Sequence, residues 1–337
     1  MTEVLDPVAL ARSLIDIDST TGREGDAGTW LAEWLRQRRY QVVEQPVTEG
    51  RFNVFARVGD SPQVVLSTHI DCVPPFFASR QERGLLFGRG ACDAKGILAA
   101  QLAAVERLRE RGESRVGLLF VVGEERGSDG ARVAAQQAPA GVRYLVNGEP
   151  TDNRLGSATR GVLRVRLRAE GRAAHSAFPE LGDSAIDKLL DALMVIRGVR
   201  LPEDPLLGRT HYTVGVIEGG VAPNVVSPRA SAELLFRTVG DAETVRAELA
   251  VVDGLVTVEP VYDVPAVRMH TLPGFETAVF PYTTDVPLLT GWGTPLLLGP
   301  GSIHVAHTAE EHVPIDELRA AVDLYEELAL RLLQPGD

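Results

Sequence analysis

VVLSTHIDCVPP at residues 64–75, followed after a short variable segment by LLFGRGACDAKG at 85–96, reads as strand, ligand-bearing turn, glycine-rich loop and helix. Val64-Val65-Leu66 is the β-branched and apolar run of a buried strand. It ends in His69-Ile70-Asp71. Side chains alternate along a strand, so His69 and Asp71 point the same way. An imidazole beside a carboxylate at a strand's carboxyl end is the raw material of a metal site. One ring nitrogen binds the ion; the carboxylate can hold the other N–H and fix the tautomer. A second carboxylate, Asp93, follows in the loop Gly88-Arg89-Gly90-Ala91-Cys92-Asp93, and an apolar helix is expected over 97–109. H-x-D alone is a weak signal; its weight comes from the residues that flank it.

Upstream, 5–17 and 28–39 have helical spacing, with Trp30, Leu31, Trp34 and Leu35 as a core stripe, and 41–45 and 53–58 read as strands. Downstream, VGLLFVV at 116–122 is another apolar strand, ending in Gly123-Glu124-Glu125. A helix is expected over 131–138, and a short strand at 144–146 ends in Asn147-Gly148-Glu149-Pro150. Strands alternating with helices predict an α/β domain whose sheet is covered on both faces, with ligands at the strands' carboxyl ends. Near Arg160 the texture changes. LRVRLRA at 163–169 alternates as a half-exposed strand does; a helix over 184–196, strands at 210–217 and 229–237, a helix over 241–249 and a strand at 255–258 follow. That β-α-β-β-α-β order predicts a smaller α+β sandwich, an antiparallel sheet with helices on one face, inserted into the first domain. From about Met269 the first texture returns. A short helix is expected after Pro281-Tyr282-Thr283-Thr284-Asp285, an apolar segment at 295–298 precedes His304 and His307, and a long amphipathic helix covers 315–333. The domains are expected at 1–159 with 269–337, and at 160–268.

The 337 residues suffice for two cores, and 34 basic against 46 acidic side chains leave a net charge of −12. Such a balance argues against nucleic acid or an anionic membrane as partner; some of the excess can be ligand carboxylates. The N-terminal MTEVLDPVALARSLIDIDST, with Glu3, Asp6, Asp16 and Asp18 and no basic start, does not read as a secretory signal. No apolar run approaches the ~18–20 residues of a membrane span. Two cysteines, Cys72 and Cys92, make no disulfide framework; they read as packing residues of a cytoplasmic protein.

His69, Asp93, Glu124, Glu125, Glu149 and His307 each lie in a turn flanked by glycine or proline, mostly after an apolar strand. Singly, each has an ordinary explanation as a solvated loop residue. Jointly, carboxylates clustered without cations would cost several kcal/mol in repulsion and desolvation. STHIDCVPP, GRGACDAKG, GEERGSDGA, NGEP, GRAAHSAFPELGDSA, EGGVAPNVVSP, YTTDVPLL and GPGSIHVAHTAEEHV run in that order across nearly the whole chain. In these pieces the chain resembles the zinc-dependent deacylases and exopeptidases that include acetylornithine deacetylase, succinyl-diaminopimelate desuccinylase, aminoacylase and glutamate carboxypeptidase. The resemblance implies a mixed, mostly parallel sheet flanked by helices as catalytic domain, and the insertion as a lid and dimerisation domain. It implies two divalent cations bridged by Asp93, one on His69 and Glu149, the other on Glu125 and His307. Zinc is the expected metal, with cobalt or manganese as substitutes. Glu124 would be the general base and Asp71 would orient His69. The pattern Ala-His-Thr followed by an acid selects His307 over His304. A cis peptide is implied at Asp93–Ala94. From the insertion, His175 would steady the oxyanion in a partner subunit's site, so a homodimer is expected. Asn224, Arg237, Thr284, Asp285 and Gly301 match substrate-contacting positions.

This donor set suits amide hydrolysis, in which a poor electrophile and a poor leaving group require polarisation and proton transfer. The GPGSIHVAHTAEEHV tail and YTTDVPLL resemble the acetylornithine and acetyl-lysine deacetylase branch most. The expected reaction is therefore deacetylation of an N-acetylornithine-type amino acid, as in arginine biosynthesis. Acetylcitrulline, acetyl-lysine or carrier-linked lysine are close rivals, and a dipeptidase or carboxypeptidase on the same scaffold is the main alternative. A metallophosphoesterase would favour a more basic pocket, and a catalytically inert binding protein would have lost Glu124 or Asp93.

Overall fold

The structure, a computed structural model, describes residues 5–334; Glu3 and the ends of the expected catalytic domain at 1–4 and 335–337 lie outside the described residues. Helices α1 (Pro7–Ile15) and α2 (Gly25–Gln37) lead into the hairpin β1 (Gln41–Thr48) and β2 (Arg51–Arg57). Next come β3 (Val64–His69), the short pair β4 (Arg80–Glu82) and β5 (Leu85–Phe87), α3 (Lys95–Glu110), β6 (Val116–Val121), α4 (Asp129–Ala135), β7 (Tyr144–Asn147) and β8 (Leu155–Thr159). They are followed by β9 (Gly161–Glu170), α5 (Ala185–Arg197), the two-residue pair β10 (Glu203–Asp204) and β11 (Gly208–Arg209), β12 (His211–Gly219), β13 (Arg229–Thr238), α6 (Ala242–Leu249) and β14 (Thr257–Val264). The chain finishes with β15 (Val267–Arg268), β16 (Thr277–Phe280), β17 (Thr294–Leu297), β18 (His312–Pro314) and α7 (Ile315–Leu332). Two compact units result: Met1–Ser157 with Met269–Ala278 and Thr284–Asp337, and Ala158–Arg268 with Val279–Thr283.

In the first unit six strands form a sheet in the order β1-β2-β6-β3-β7-β17. β6, β3, β7 and β17 run parallel, and β1 and β2 join antiparallel. Every residue of β3 and β6 is buried, which is why VVLSTH and VGLLFV are continuous runs with no polar alternation. One face is covered by α3, which packs on α1 and α7. Two polar residues of α3 are buried and donate to main-chain carbonyls: Gln101 Nε2 to Ser67 at 2.9 Å and Lys95 Nζ to Ile17 at 2.6 Å. On the other face Phe55, Val65, Leu119 and Leu145 pack with Ala131, Ala134 and Trp292. The Trp292 indole N–H donates to the Ala134 carbonyl at 3.0 Å, so its burial leaves no polar atom unpaired.

The second unit is a four-stranded antiparallel sheet, β12-β13-β9-β14. Leu163, Val165 and Leu167 point into a core shared with residues of α5 and α6. Arg164 and Arg166 point outward, where Glu233 accepts from both at 2.9 and 3.0 Å, and Arg168 pairs with Glu259 at 2.8 Å. Ser184 caps α5 and Asp241 caps α6 with side-chain oxygens.

Two expectations change, and several short strands join those expected. The helix expected after 281–285 is a run of turns: Thr284 Oγ1 accepts the Val286 N–H as a cap, and the Asp285 carbonyl accepts the Leu288 and Leu289 N–H groups, but the turn is not continued. The strand expected at 255–258 begins at Thr257 and runs to Val264. Strands β4, β5, β8, β15, β16 and β18 are too short for periodicity to reveal.

Candidate metal centre

β6, β3 and β7 are adjacent and parallel, so their carboxyl ends lie along one edge of the sheet. His69 is the last residue of β3, opposite Val121 of β6. Three residues beyond Val121, Glu124 and Glu125 occupy a single 3-10 turn between Gly123 (φ 78°) and Gly127 (φ 97°), both left-handed. Glu149 follows β7, Asp93 precedes α3, and His307 sits between β17 and β18 at φ 65°. A left-handed histidine is backbone strain of the sort found where a side chain must be aimed. The Asp93–Ala94 peptide is cis.

The two Asp93 oxygens face different histidines. Oδ1 lies 3.0 Å from His69 Nε2, and Oδ2 lies 3.2 Å from His307 Nε2. His307 Nε2 is also 2.9 Å from Glu125 Oε1. His69, Asp93 and Glu125 each offer a ligand atom within 4.8 Å of the others. His69 Nδ1 is 2.9 Å from the Asp71 backbone carbonyl. A carbonyl only accepts, so Nδ1 carries a proton, and in the neutral ring Nε2 presents its lone pair to Asp93. Two acceptors held face to face require a proton or a cation between them. The donors are imidazole and carboxylate, the ligands divalent zinc, cobalt and manganese accept, and they fit that group.

The electrostatics agree. Burial pushes the Glu124 carboxyl well above its ordinary range, with the Glu149 and Asp285 charges adding to it. Burial, with Asp93 and Asp285, does the same to Glu149, and burial and Asp93 raise Glu125. Burial opposes charge on His69, but its bonds to Asp71 and Asp93 and the Asp93 and Glu149 charges raise it well above its usual value. Hydrogen bonds to Asp93 and Glu125 push His307 up to about 10. Burial works against the Asp93 charge too, yet His307 and His69 hold it below the usual carboxylate range. Six carboxylates with two imidazoles are a site short of positive charge.

Asp71 stands beside His69 with two groups: its carboxylate lies 3.5 Å from His69 Nδ1 and its backbone carbonyl 2.9 Å. The carboxylate also accepts the Glu124 and Glu125 N–H groups at 3.1 and 3.2 Å and the Thr21 hydroxyl at 2.8 Å. It therefore steadies the turn that carries both glutamates. Sequence reasoning also missed Glu311, a buried carboxylate four residues beyond His307. It pairs with buried Arg89 and accepts the Gly90 and Asp93 N–H groups at 2.8 and 3.3 Å. One side chain thus ties the His307 segment to the Asp93 loop. The acidic run AEEHV was the available signal, but nothing in it marked Glu311 as buried.

A model of peptidase family M20/M25/M40 matches residues 65–331. The chain belongs to that family. It is 38% identical to a probable carboxypeptidase of Aspergillus terreus, over 94% of this chain and 84% of that protein. Its fold is similar to that of a tripeptidase from Staphylococcus aureus, with a TM-score of 0.79, 20% identity, and coverage of 97% of this chain and 99% of that one. A Bacillus subtilis protein described as a dinuclear metal-binding peptidase of family M20 superposes with a TM-score of 0.72 at 17% identity, covering 97% of each chain. The protein is accordingly a metallohydrolase of the M20 family with the mixed α/β fold of its relatives.

The remaining expected residues of this M20 chain separate into two groups. In the first unit Asp285 is buried, neither carboxylate oxygen has a well-aligned partner, and burial raises it to about 6. Gly301, at φ 84°, lies against Cys92: an added Cβ would come within 2.7 Å of the Cys92 Cβ. Cys72 and Cys92 are buried thiols, and burial pushes Cys72 up to about 12, so both are packing residues. His304 is exposed. In the second unit His175 is exposed, its Nδ1 accepting the Ala177 N–H at 3.1 Å, and the neighbouring Asn224 carbonyl accepts the Ser176 N–H. Arg237 is half-buried on β13, opposite His211. Burial lowers its pKa, and among the described residues no carboxylate pairs with it.

Proposed function

We propose that this M20 hydrolase cleaves the amide bond that acylates an amino acid bearing a free carboxylate, as in an N-acyl amino acid or the last bond of a small peptide. The observation that carries the reading is the Asp93 carboxylate, whose two oxygens face two histidines at 3.0 and 3.2 Å, the disposition of a bridging ligand. His69 and Glu149 would hold one divalent cation with Asp93, and Glu125 and His307 a second; the name of the Bacillus subtilis relative supports a pair. Bound there, zinc, or cobalt or manganese in its place, would polarise the amide carbonyl and acidify water. Glu124 takes the proton of the attacking water and returns it to the leaving amine. Its high proton affinity in this buried, acidic surrounding suits the second half of that task. Asp71 steadies the backbone that carries Glu124 and Glu125 by accepting both of their N–H groups on one carboxylate. By the family resemblance, His175 would donate to the developing oxyanion in a partner subunit's site, and Arg237, with no carboxylate pairing it among the described residues, would take a substrate carboxylate in its fork. Asn224, Thr284, Asp285 and Gly301 complete the substrate's surroundings.

Identity to probable carboxypeptidases supports a peptide as the acyl donor. The GPGSIHVAHTAEEHV tail supports the narrower reading of an N-acetylornithine-type deacetylase, with acetylcitrulline, acetyl-lysine and carrier-linked lysine beside it. The two thiols, both unpaired, support a cytoplasmic setting. A homodimer through the second unit is supported by apolar side chains left bare on α5, Leu190 and Met194, and by Ile217 on the edge strand β12. The deciding experiment is a panel of dipeptides and N-acyl amino acids with protein loaded with Zn2+, Co2+ or Mn2+, with and without chelator. Hydrolysis of none of them under any loading would remove the proposal.

A further inference from the structure

We infer that Arg51 is a positioning residue for the turn carrying Glu124 and Glu125, acting through a clamp made with Glu24 and Asp129. The inference rests on the reading of that turn as general base and metal ligand. Arg51, on β2, places Nε and Nη2 on the two oxygens of Glu24 at 2.8 and 2.7 Å, and Nη1 on Asp129 Oδ2 at 2.6 Å. The Glu24 side chain is wholly buried, Arg51 is 13% exposed, and Asp129, at the outer end, is 42% exposed. Glu24 also accepts the Gly22 N–H at 2.8 Å. One residue earlier, Thr21 donates to Asp71, the same carboxylate that holds the N–H groups of Glu124 and Glu125. The Thr21–Glu24 corner is thus joined to the turn by two routes, through Asp71 at the turn's centre and through Arg51 at its far end.

The near end is held by the same strand. Two residues beyond Arg51, Asn53 accepts the Val122 N–H at 3.1 Å and donates to the Gly130 carbonyl at 2.9 Å. The ion pair lies flush on the turn: a Cβ at Gly123 would fall 1.9 Å from Asp129 Oδ1 and 2.9 Å from Arg51 Nη2. A shift of the pair toward the turn therefore meets the backbone just before Glu124. A guanidinium can serve both carboxylates at once through its planar fork, whereas an ammonium cannot span them with the same geometry. Misplacing a catalytic group by 1 Å can cost on the order of 100-fold in rate.

Arg51→Lys, Asp129→Asn and Arg51→Met test this beside wild type and Arg36→Gln, which breaks an exposed ion pair with Glu44. Three readouts are taken: kcat and KM on a panel substrate the wild type cleaves, Co2+ uptake by chelator-stripped protein, and amide exchange across 123–130. For folded Arg51→Lys and Asp129→Asn we expect kcat to fall about 10- to 100-fold with KM changed less than about threefold. Exchange across 123–130 should quicken about tenfold or more, and one of two Co2+ affinities should weaken while Arg36→Gln matches wild type. Folded variants with kcat and exchange both within about twofold of wild type would overturn the clamp, as would a change confined to KM. Arg51→Met leaves Glu24 buried and unpaired; if it does not fold, the two milder variants decide. If wild type cleaves no panel substrate and takes up no Co2+, the functional reading fails, and the exchange measurement alone decides the clamp.

Discussion

Glu124 and Glu125 are neighbours with opposite assignments, and substitution separates them. Glu124→Gln keeps the size and loses the base, so kcat should fall by about 10²–10⁴-fold with bound metal, read by elemental analysis, near the wild-type amount. Glu125→Gln should lose metal as well as rate. Loss of metal in Glu124→Gln would reassign that residue as a ligand. His307 gives a pH signature in chelator-treated protein. Its pKa is raised from 6.5 to about 10 by Asp93 and Glu125, so its contacts stabilise the fold fully below pH 6.5 and are lost as pH climbs through 10. The ring is half exposed, so after screening the contribution is about 1 kcal/mol. The gap in urea midpoint between wild type and His307→Ala should therefore narrow from pH 6 to pH 10; a gap that widened would contradict the assignment.

At the scale of elements, the site is a set of loops at one sheet edge tied together by side chains. Glu311→Ala should cost about 3–5 kcal/mol in urea unfolding, because it strands the buried Arg89 charge and the Gly90 N–H. Metal affinity should fall with it, since the Asp93 N–H loses its acceptor. Gly301→Ala should cost about 1–3 kcal/mol, forcing a Cβ toward Cys92 at a left-handed position. Much of this architecture could be read beforehand. Continuous apolar runs at β3 and β6 and the strict alternation of LRVRLRA correspond to two-faced and one-faced burial. The histidine and acids after β3, β6 and β7 stood out because each closes an apolar run. Arg51, Glu24 and Asp129 did not, because an ion-pair cluster spread over more than a hundred residues has no local pattern, and only its Glu24 end is fully buried. The Asp71 backbone carbonyl was equally invisible, since sequence names side chains and His69 uses a main-chain acceptor.

For the molecule as a whole, the bare apolar residues of the second unit make a prediction about assembly. Leu190 and Met194 are 50% and 64% exposed on α5, and Ile217 is 58% exposed on β12. Met194→Glu with Leu190→Asp should convert a dimer to a monomer in sedimentation, with the second unit still folded because neither side chain belongs to its core. An unchanged sedimentation coefficient would place the contact elsewhere. The discontinuity of the first unit bears on biosynthesis. β3, β6 and β7 are translated early, but His307 and Glu311 lie beyond the whole insertion. A ribosome must therefore release almost the entire polypeptide before the cation-binding set is complete. Nascent chains halted at residue 300, which lack His307, should take up less Co2+ or Zn2+ than full-length ones.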